Sequence, residues 1–173
     1  MGFFLYIKDM KIILENEQFI RTLKRMTHEI IEKNDNLADV ILMGIERKGM
    51  PIAKYIKDLI MTFEGINVEL YPIDISYHRD DLKRIDGNLN LPINIDGKTI
   101  ILIDDVLYTG RSVRSAMDAL MDFGRPAKIE LAVVVDRGHR ELPIRADVVG
   151  KNIPTSINEH VICDFDNKMI YLN

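Results

Sequence analysis

The sequence predicts an α/β protein with a mostly parallel central sheet flanked by helices. Short apolar runs of strand length alternate with longer segments whose apolar residues recur at helical spacing. Such alternation puts helices on both faces of a parallel sheet. The polar stretches GIERKG, DDVLYTGRS and VDRGHRE each end a predicted strand, which is where open α/β sheets bind ligands. With 173 residues, 47% hydrophobic and 29% charged, the chain has the composition of a folded protein, expected as a single domain over 1–173.

Taken in order, Phe19, Ile20, Leu23, Met26, Ile30 and Ile31 recur at helical spacing over 17–33, with Arg21, Lys24, Arg25 and His28 together on the other side. DVILMGI (39–45) reads as a buried strand, ERKG as a tight loop, and 50–63 as a helix with Ile52, Ile56, Leu59, Ile60 and Phe63 inward. INVELYPIDI (66–75) alternates as a strand. Residues 76–98 are polar and carry Gly87 and Pro92; connections of that length are usually lids or binding loops. KTIILI (98–103) is a strand, 112–123 a helix ending at Gly124, and KIELAVVVD (128–136) a strand. Short strands near 146–149, 161–165 and 169–172 follow, the last two closing a hairpin through Asp166 and Asn167.

The formal charge of −4 gives no global attraction for nucleic acid, so any such binding needs a local basic patch. Two segments qualify. Residues 21–33 hold four Lys/Arg against Glu29 and Glu32, and 137–151 hold four against Glu141 and Asp147, each a net +2. Cys163 is the one cysteine; it allows no internal disulfide, reads as a core residue, and fits a reducing, cytoplasmic setting. No Cys/His cluster has zinc-ligand spacing. The start lacks a basic lead and a cleavage site, and Tyr6 stands where myristoylation wants Ser or Thr. No apolar run approaches the roughly 18 residues of a membrane span, so no membrane partner is expected.

TIILIDDVLYTGRS (99–112) carries the chemistry. Two adjacent carboxylates at the end of a buried strand repel each other, and call for hydroxyl donors or a hydrated magnesium ion. The turn expected over 106–110, with a helix dipole behind it, makes an anion site. Gly110 permits close backbone approach, and Thr109, Arg111 and Ser112 offer donors to a phosphate. Side by side, the two halves suit a ribose 5-phosphate. The plainer alternative is an acidic, solvated turn whose Thr-Gly-Arg-Ser run only caps a helix. The full order of apolar strand, paired acids, loop, Thr-Gly and helix favours the ligand.

This order resembles the phosphoribosyl-diphosphate (PRPP) signature of the type I phosphoribosyltransferases. Beyond it, DDVLYTGRSVRSAMDAL, GRPAKIELAVVVDRGHRELPIRAD, VGKNIPTS, DISYHRDDL and RMTHEIIEKN together resemble the PyrR family. These are pyrimidine-operon attenuation regulators that also act as uracil phosphoribosyltransferases. The likeness runs from about Ile12 to Ser156. It implies the type I phosphoribosyltransferase fold, with a small hood and a flexible lid loop. It further implies transfer of ribosyl 5-phosphate from PRPP to uracil, giving UMP and pyrophosphate, with Mg2+ accompanying PRPP.

On that resemblance, Asp104 and Asp105 meet the ribose hydroxyls and, with Arg79 of the lid, form the catalytic set. Val106, Leu107, Tyr108, Thr109, Gly110, Arg111 and Ser112 continue the PRPP site, joined by Lys48 and Gly49 of the pyrophosphate loop. Magnesium is implied on Asp104 and Asp105 or on PRPP itself, without a certain protein metal site. Asp136 and Arg137 flank the uracil pocket. No residue identifies itself as a general base, so positioning and electrostatics are expected to carry the rate. The chain departs from the family where Arg47-Lys48-Gly49 replaces a common Thr-Arg-Gly, giving a point cation in place of a bidentate fork. Lys24 replaces a usual Thr, the lid stretch beginning Arg79-Asp80-Asp81 is several residues shorter, and the tail FDNKMIYLN differs.

The second implied activity is binding of a stem-loop in pyrimidine-leader mRNA, favoured by UMP or UTP, which nominates Arg25, His28, His139, Arg140, Arg145 and Lys151. Charge alone reads these as solvated surface. Homo-oligomers, dimers or higher, are implied as well. Two rival readings are a nucleotide-binding regulator with little catalysis and a salvage enzyme with no RNA role. Against a purine salvage enzyme, relatives of that kind usually place Glu-Asp where this chain has Asp104-Asp105.

Overall fold

The computed structural model describes residues 10–76 and 92–173. Its elements are β1 (Lys11–Glu15), α1 (Asn16–Lys33), β2 (Val40–Ile45), α2 (Gly49–Glu64), β3 (Glu69–Ile73), β4 (Thr99–Leu107), α3 (Arg111–Phe123), β5 (Lys128–Asp136), β6 (Val148–Asn152), β7 (Val161–Asp164) and β8 (Met169–Leu172). Successive residues on a strand point to opposite faces, and here both faces are apolar. Leu42, Ile101, Ile103 and Val134 meet the inward sides of α1 and α2. Ile41, Met43, Leu102 and Val133 meet Val113, Ala116 and Leu120 of α3. Burial on both sides is why these strands read as unbroken apolar runs.

The five-stranded sheet has the order β3-β2-β4-β5-β6, and every neighbouring pair is parallel. From β2 the chain crosses through α2 to β3 on one side; from β4 it crosses through α3 to β5 on the other. The direction reverses between β2 and β4, and such a switch point opens a ligand crevice beyond the strand ends. The loops leaving β2 and β4 are the ERKG loop and the loop after the acid pair.

A three-stranded antiparallel sheet, β1-β8-β7, takes the place of the expected hood. It docks through Phe165, edge-on to Phe19 of α1 at 6.1 Å and to Tyr55 of α2 at 6.0 Å. Its β7-β8 hairpin is the one expected around Asp166 and Asn167. Strand β1 was not expected, because its partner β8 lies at the far end of the chain and five residues carry little pattern alone.

Strand β4 also runs further than expected. The sequence placed a turn from Val106, but Asp104, Val106 and Leu107 pair with Val133, Val135 and Asp136 of β5. Strand β6 begins later than expected, at Val148. Before it, the Asp147 carboxylate accepts from Leu131 N at 2.8 Å, and Asp147 N donates to Leu131 O at 2.8 Å. Among the described residues, no helix is long and apolar enough to cross a membrane.

Candidate functional site

The crevice is narrow where α2 begins. A Cβ on Gly49 would lie 2.2 Å from Ile103 O, so only glycine lets the first turn of α2 sit on β4 just before the acids. Glu46 N anchors the loop by donating to Ile73 O at 3.1 Å. Held this way, Lys48 Nζ reaches to 3.8 Å from Asp105 Oδ2. The Lys48 cation and the acid pair therefore face one another across the switch point.

Asp104 and Asp105 are half-buried at the end of β4. Asp104 Oδ1 accepts from Asp105 N at 2.9 Å, and Asp105 Oδ1 accepts from Val106 N at 2.8 Å. Burial, and then the charge of Asp105, holds the Asp104 carboxyl well above the usual carboxylate range. Beneath them, burial pushes the Cys163 thiol up to about 12, which suits the inert core residue the sequence suggested. Among the described residues, no three His, Cys, Asp or Glu side chains group to cage a metal. Two carboxylates without a third ligand fit Mg2+, which keeps several waters and completes its shell with substrate phosphates.

The loop from Tyr108 to Gly110 leads straight into α3. Gly110 takes φ 91°, a left-handed conformation that favours glycine. Among the described residues, no protein acceptor meets the amides of Thr109 and Gly110. With the N-terminus of α3 behind them, they form an anion cradle. Arg111 and Ser112 are exposed at its rim, and Arg111 Nε donates to Glu141 Oε2 at 2.8 Å. Leu107 is buried, and its carbonyl accepts from Arg137 N at 3.2 Å. Val106 packs on the core. Within the nominated run, then, exposed side chains begin again only at Tyr108.

Beyond β5 lies a cleft of about 660 Å³ whose lining includes Asp136, Arg137, His139, Arg140, Arg145 and Asn152. Residues nominated for uracil and for RNA thus share one wall, which the sequence did not anticipate. Arg137 is 5% exposed. Its guanidinium lies 4.1 Å from the Tyr108 ring centre and donates to Thr155 Oγ1 and Ser156 O, both at 3.1 Å. Arg140 is paired with the buried Asp136 carboxylate. His139 Nε2 lies 2.5 Å from Thr155 O, a contact that puts the proton on that nitrogen.

The remaining cations are fixed on α1 and β6. Arg25 donates to the carbonyls of Val149, at 3.2 Å, and Gly150, next to the exposed Lys151. His28 stacks on Phe63 of α2 at 4.4 Å. A groove of about 420 Å³ along α1 is lined by Asn16, Glu17, Ile20, Arg21, Lys24 and Lys168.

Residues 9–167 match the phosphoribosyl transferase domain family. The bifunctional protein PyrR of Haemophilus influenzae (strain PittEE) is 52% identical over 159 residues, spanning 87% of this chain and 89% of that protein. The chain belongs to the PyrR family of phosphoribosyltransferases. The bifunctional protein PyrR of Chloroflexus aurantiacus is likewise 52% identical over 158 residues, spanning 88% of this chain and 86% of that protein. The hypoxanthine phosphoribosyltransferase of Trypanosoma cruzi superposes with a TM-score of 0.73 at 19% identity, covering 94% of this chain and 95% of that one. That likeness speaks for the fold alone.

In this PyrR-family chain, the fold brings Lys48, Gly49, Asp104, Asp105 and the 108–112 loop to one crevice; the convergence of these loops was expected from their places at strand ends, and Lys48 and Gly49 from the family resemblance. Arg79, Asp80 and Asp81 lie outside the described residues. Sequence reasoning missed Glu141 and Thr155 as partners of the cradle and cleft. No local signal marks them, because each acts across a contact between segments far apart in sequence.

Proposed function

We infer that this chain is an RNA-binding attenuator of pyrimidine-biosynthesis genes, responsive to uridine nucleotides, that also converts uracil and PRPP to UMP and pyrophosphate. The observation that carries the reading is the meeting of the anion cradle with the cationic cleft at one edge of the sheet. Membership of the PyrR family supports both halves.

For catalysis, the Thr109 and Gly110 amides and the Ser112 hydroxyl hold the 5-phosphate, while Asp104 and Asp105 accept from the ribose hydroxyls. Lys48, with the N-terminus of α2 behind it, faces the departing pyrophosphate. Mg2+ arriving with PRPP and held by Asp104 and Asp105 would offset charge on the diphosphate. Uracil lies on the Asp136 side, and Arg79 belongs to the proposed lid that keeps water from the ribosyl centre. For regulation, His139, Arg140, Arg145, Arg25, His28 and Lys151 contact the RNA.

The test is filter retention of a pyrimidine-leader stem-loop and a scrambled control, with and without UMP, alongside UMP formation from uracil and PRPP. Selective binding strengthened by UMP, together with turnover, is the expected result. Equal retention of both RNAs overturns the regulator and leaves a uracil salvage enzyme. Absence of turnover with intact RNA binding leaves a nucleotide-sensing regulator.

A further inference from the structure

We propose that Glu141 is a positioning residue that couples occupancy of the phosphate cradle to the RNA face, an inference that rests on the reading of the chain as a nucleotide-responsive RNA binder. Glu141 sits in the segment after β5 that carries His139, Arg140 and Arg145, and its carboxylate accepts from Arg111 Nε at 2.8 Å. Its own amide and that of Leu142 donate to Thr109 O, at 3.0 and 3.2 Å. A Cβ on Gly110 would come 3.4 Å from Ile144 and 3.6 Å from Leu142, so this segment packs on the cradle from behind. At the front, Tyr108 lies beneath the Arg137 guanidinium at 4.1 Å and edge-on to His139 at 6.2 Å. Both of those residues bond Thr155.

Each cradle residue from Tyr108 to Arg111 therefore touches the segment that presents the RNA cations. A phosphate that orders the cradle orders that segment in the same step, and RNA then meets His139, Arg140 and Arg145 already placed. The ordering cost falls once and benefits both ligands, giving positive coupling without a large movement. The coupling is reciprocal, so RNA raises nucleotide affinity by the same factor. The Arg111–Glu141 pair is the side-chain member of this contact, and both partners are about half exposed. Changing it leaves the core untouched.

The experiment measures leader-RNA Kd with and without UMP for the wild-type protein, Glu141→Gln and Glu141→Asp. Loss of a negative charge beside the RNA face strengthens RNA binding equally in both conditions, so the readout is the ratio of the two values. Wild type is expected to bind about fivefold or more tightly with UMP. Glu141→Gln is expected to bring that ratio close to one, with Glu141→Asp restoring part of it and thermal melting unchanged. A wild-type ratio retained in Glu141→Gln overturns the proposal, and so does an equal weakening with and without UMP. If wild type binds the leader equally with and without UMP, the coupling is overturned and RNA recognition stands. If it does not bind the leader selectively, the functional reading itself fails and takes the coupling with it.

Discussion

At the end of β4, the candidate ligand groups are backbone amides and two carboxylates on adjacent positions of one strand. On the face formed by α1, β6 and the segment after β5, they are tips of long side chains drawn from three elements. The first region is set by the backbone: Gly49 against Ile103 O leaves no space for a side chain, and Gly110 holds a left-handed conformation that side chains disfavour. The second is set by polar tethers. Arg25 is held by carbonyls of Val149 and Gly150, Arg140 by Asp136, and His139 by Thr155. A cradle of backbone amides suits a small ligand that never varies; long tethered cations suit a larger partner whose phosphates meet several of them at once.

The sharpest break of the first region is Asp105→Asn, which removes the charge facing Lys48 and keeps the shape. UMP formation is expected to fall on the order of 10²-fold or more, with circular dichroism unchanged. Turnover at the wild-type rate with ordinary PRPP affinity in that variant would place the ribose site elsewhere. Next in size is Gly49→Ala. Its Cβ meets backbone, which cannot swing aside, so denaturant unfolding is expected to show a loss of about 1–3 kcal/mol. A variant as stable as wild type would mean that the α2–β4 contact is looser than 2.2 Å implies.

The two regions were unequally legible in the sequence. The crevice follows from local order: strand, loop and helix succeed one another within 99–123, and topology puts ERKG opposite. Even so, the end of β4 was misjudged, because two aspartates interrupt its apolar run and pairing with β5 carries the strand on through them. The cationic face was nominated residue by residue only through family resemblance. What the residues are tied to was invisible, since Arg25 meets β6 and His28 meets Phe63 across the fold. Arg140 is the instructive case. It looked like a free RNA contact, yet it neutralises Asp136, which is 7% exposed.

That pairing separates the cations into two kinds. Arg145 and Lys151 are exposed and, among the described residues, make no ion pair. Arg145→Gln and Lys151→Gln are each expected to lower the slope of log Kd for RNA against log salt by about 1, with UMP formation untouched. Arg140→Ala should weaken RNA binding and catalysis together, because a buried carboxylate loses its partner. Adding Asp136→Asn to Arg140→Ala should recover stability but not RNA affinity. Catalysis unaffected by Arg140→Ala would show that Asp136 stands apart from the uracil side.

The smallest expected effect tests whether the cradle carries a stability cost for its function. In metal-free protein, burial and Asp105 raise the Asp104 pKa, so between the unfolded value, roughly 3.9, and the raised folded value the native state binds more protons than the unfolded one. Stability therefore falls as pH rises through that window, and the full penalty is present above it. Asp104→Asn removes the penalty. In chelator at neutral pH, the variant is expected to melt above wild type, and the gap should close as pH falls towards about 4. With PRPP and Mg2+ added, the order should reverse, because wild type alone gains the ribose and metal contacts of a second carboxylate. A gap independent of pH would mean that Asp104 is ionised as freely in the fold as in the unfolded chain, and that the acid pair is solvated surface after all.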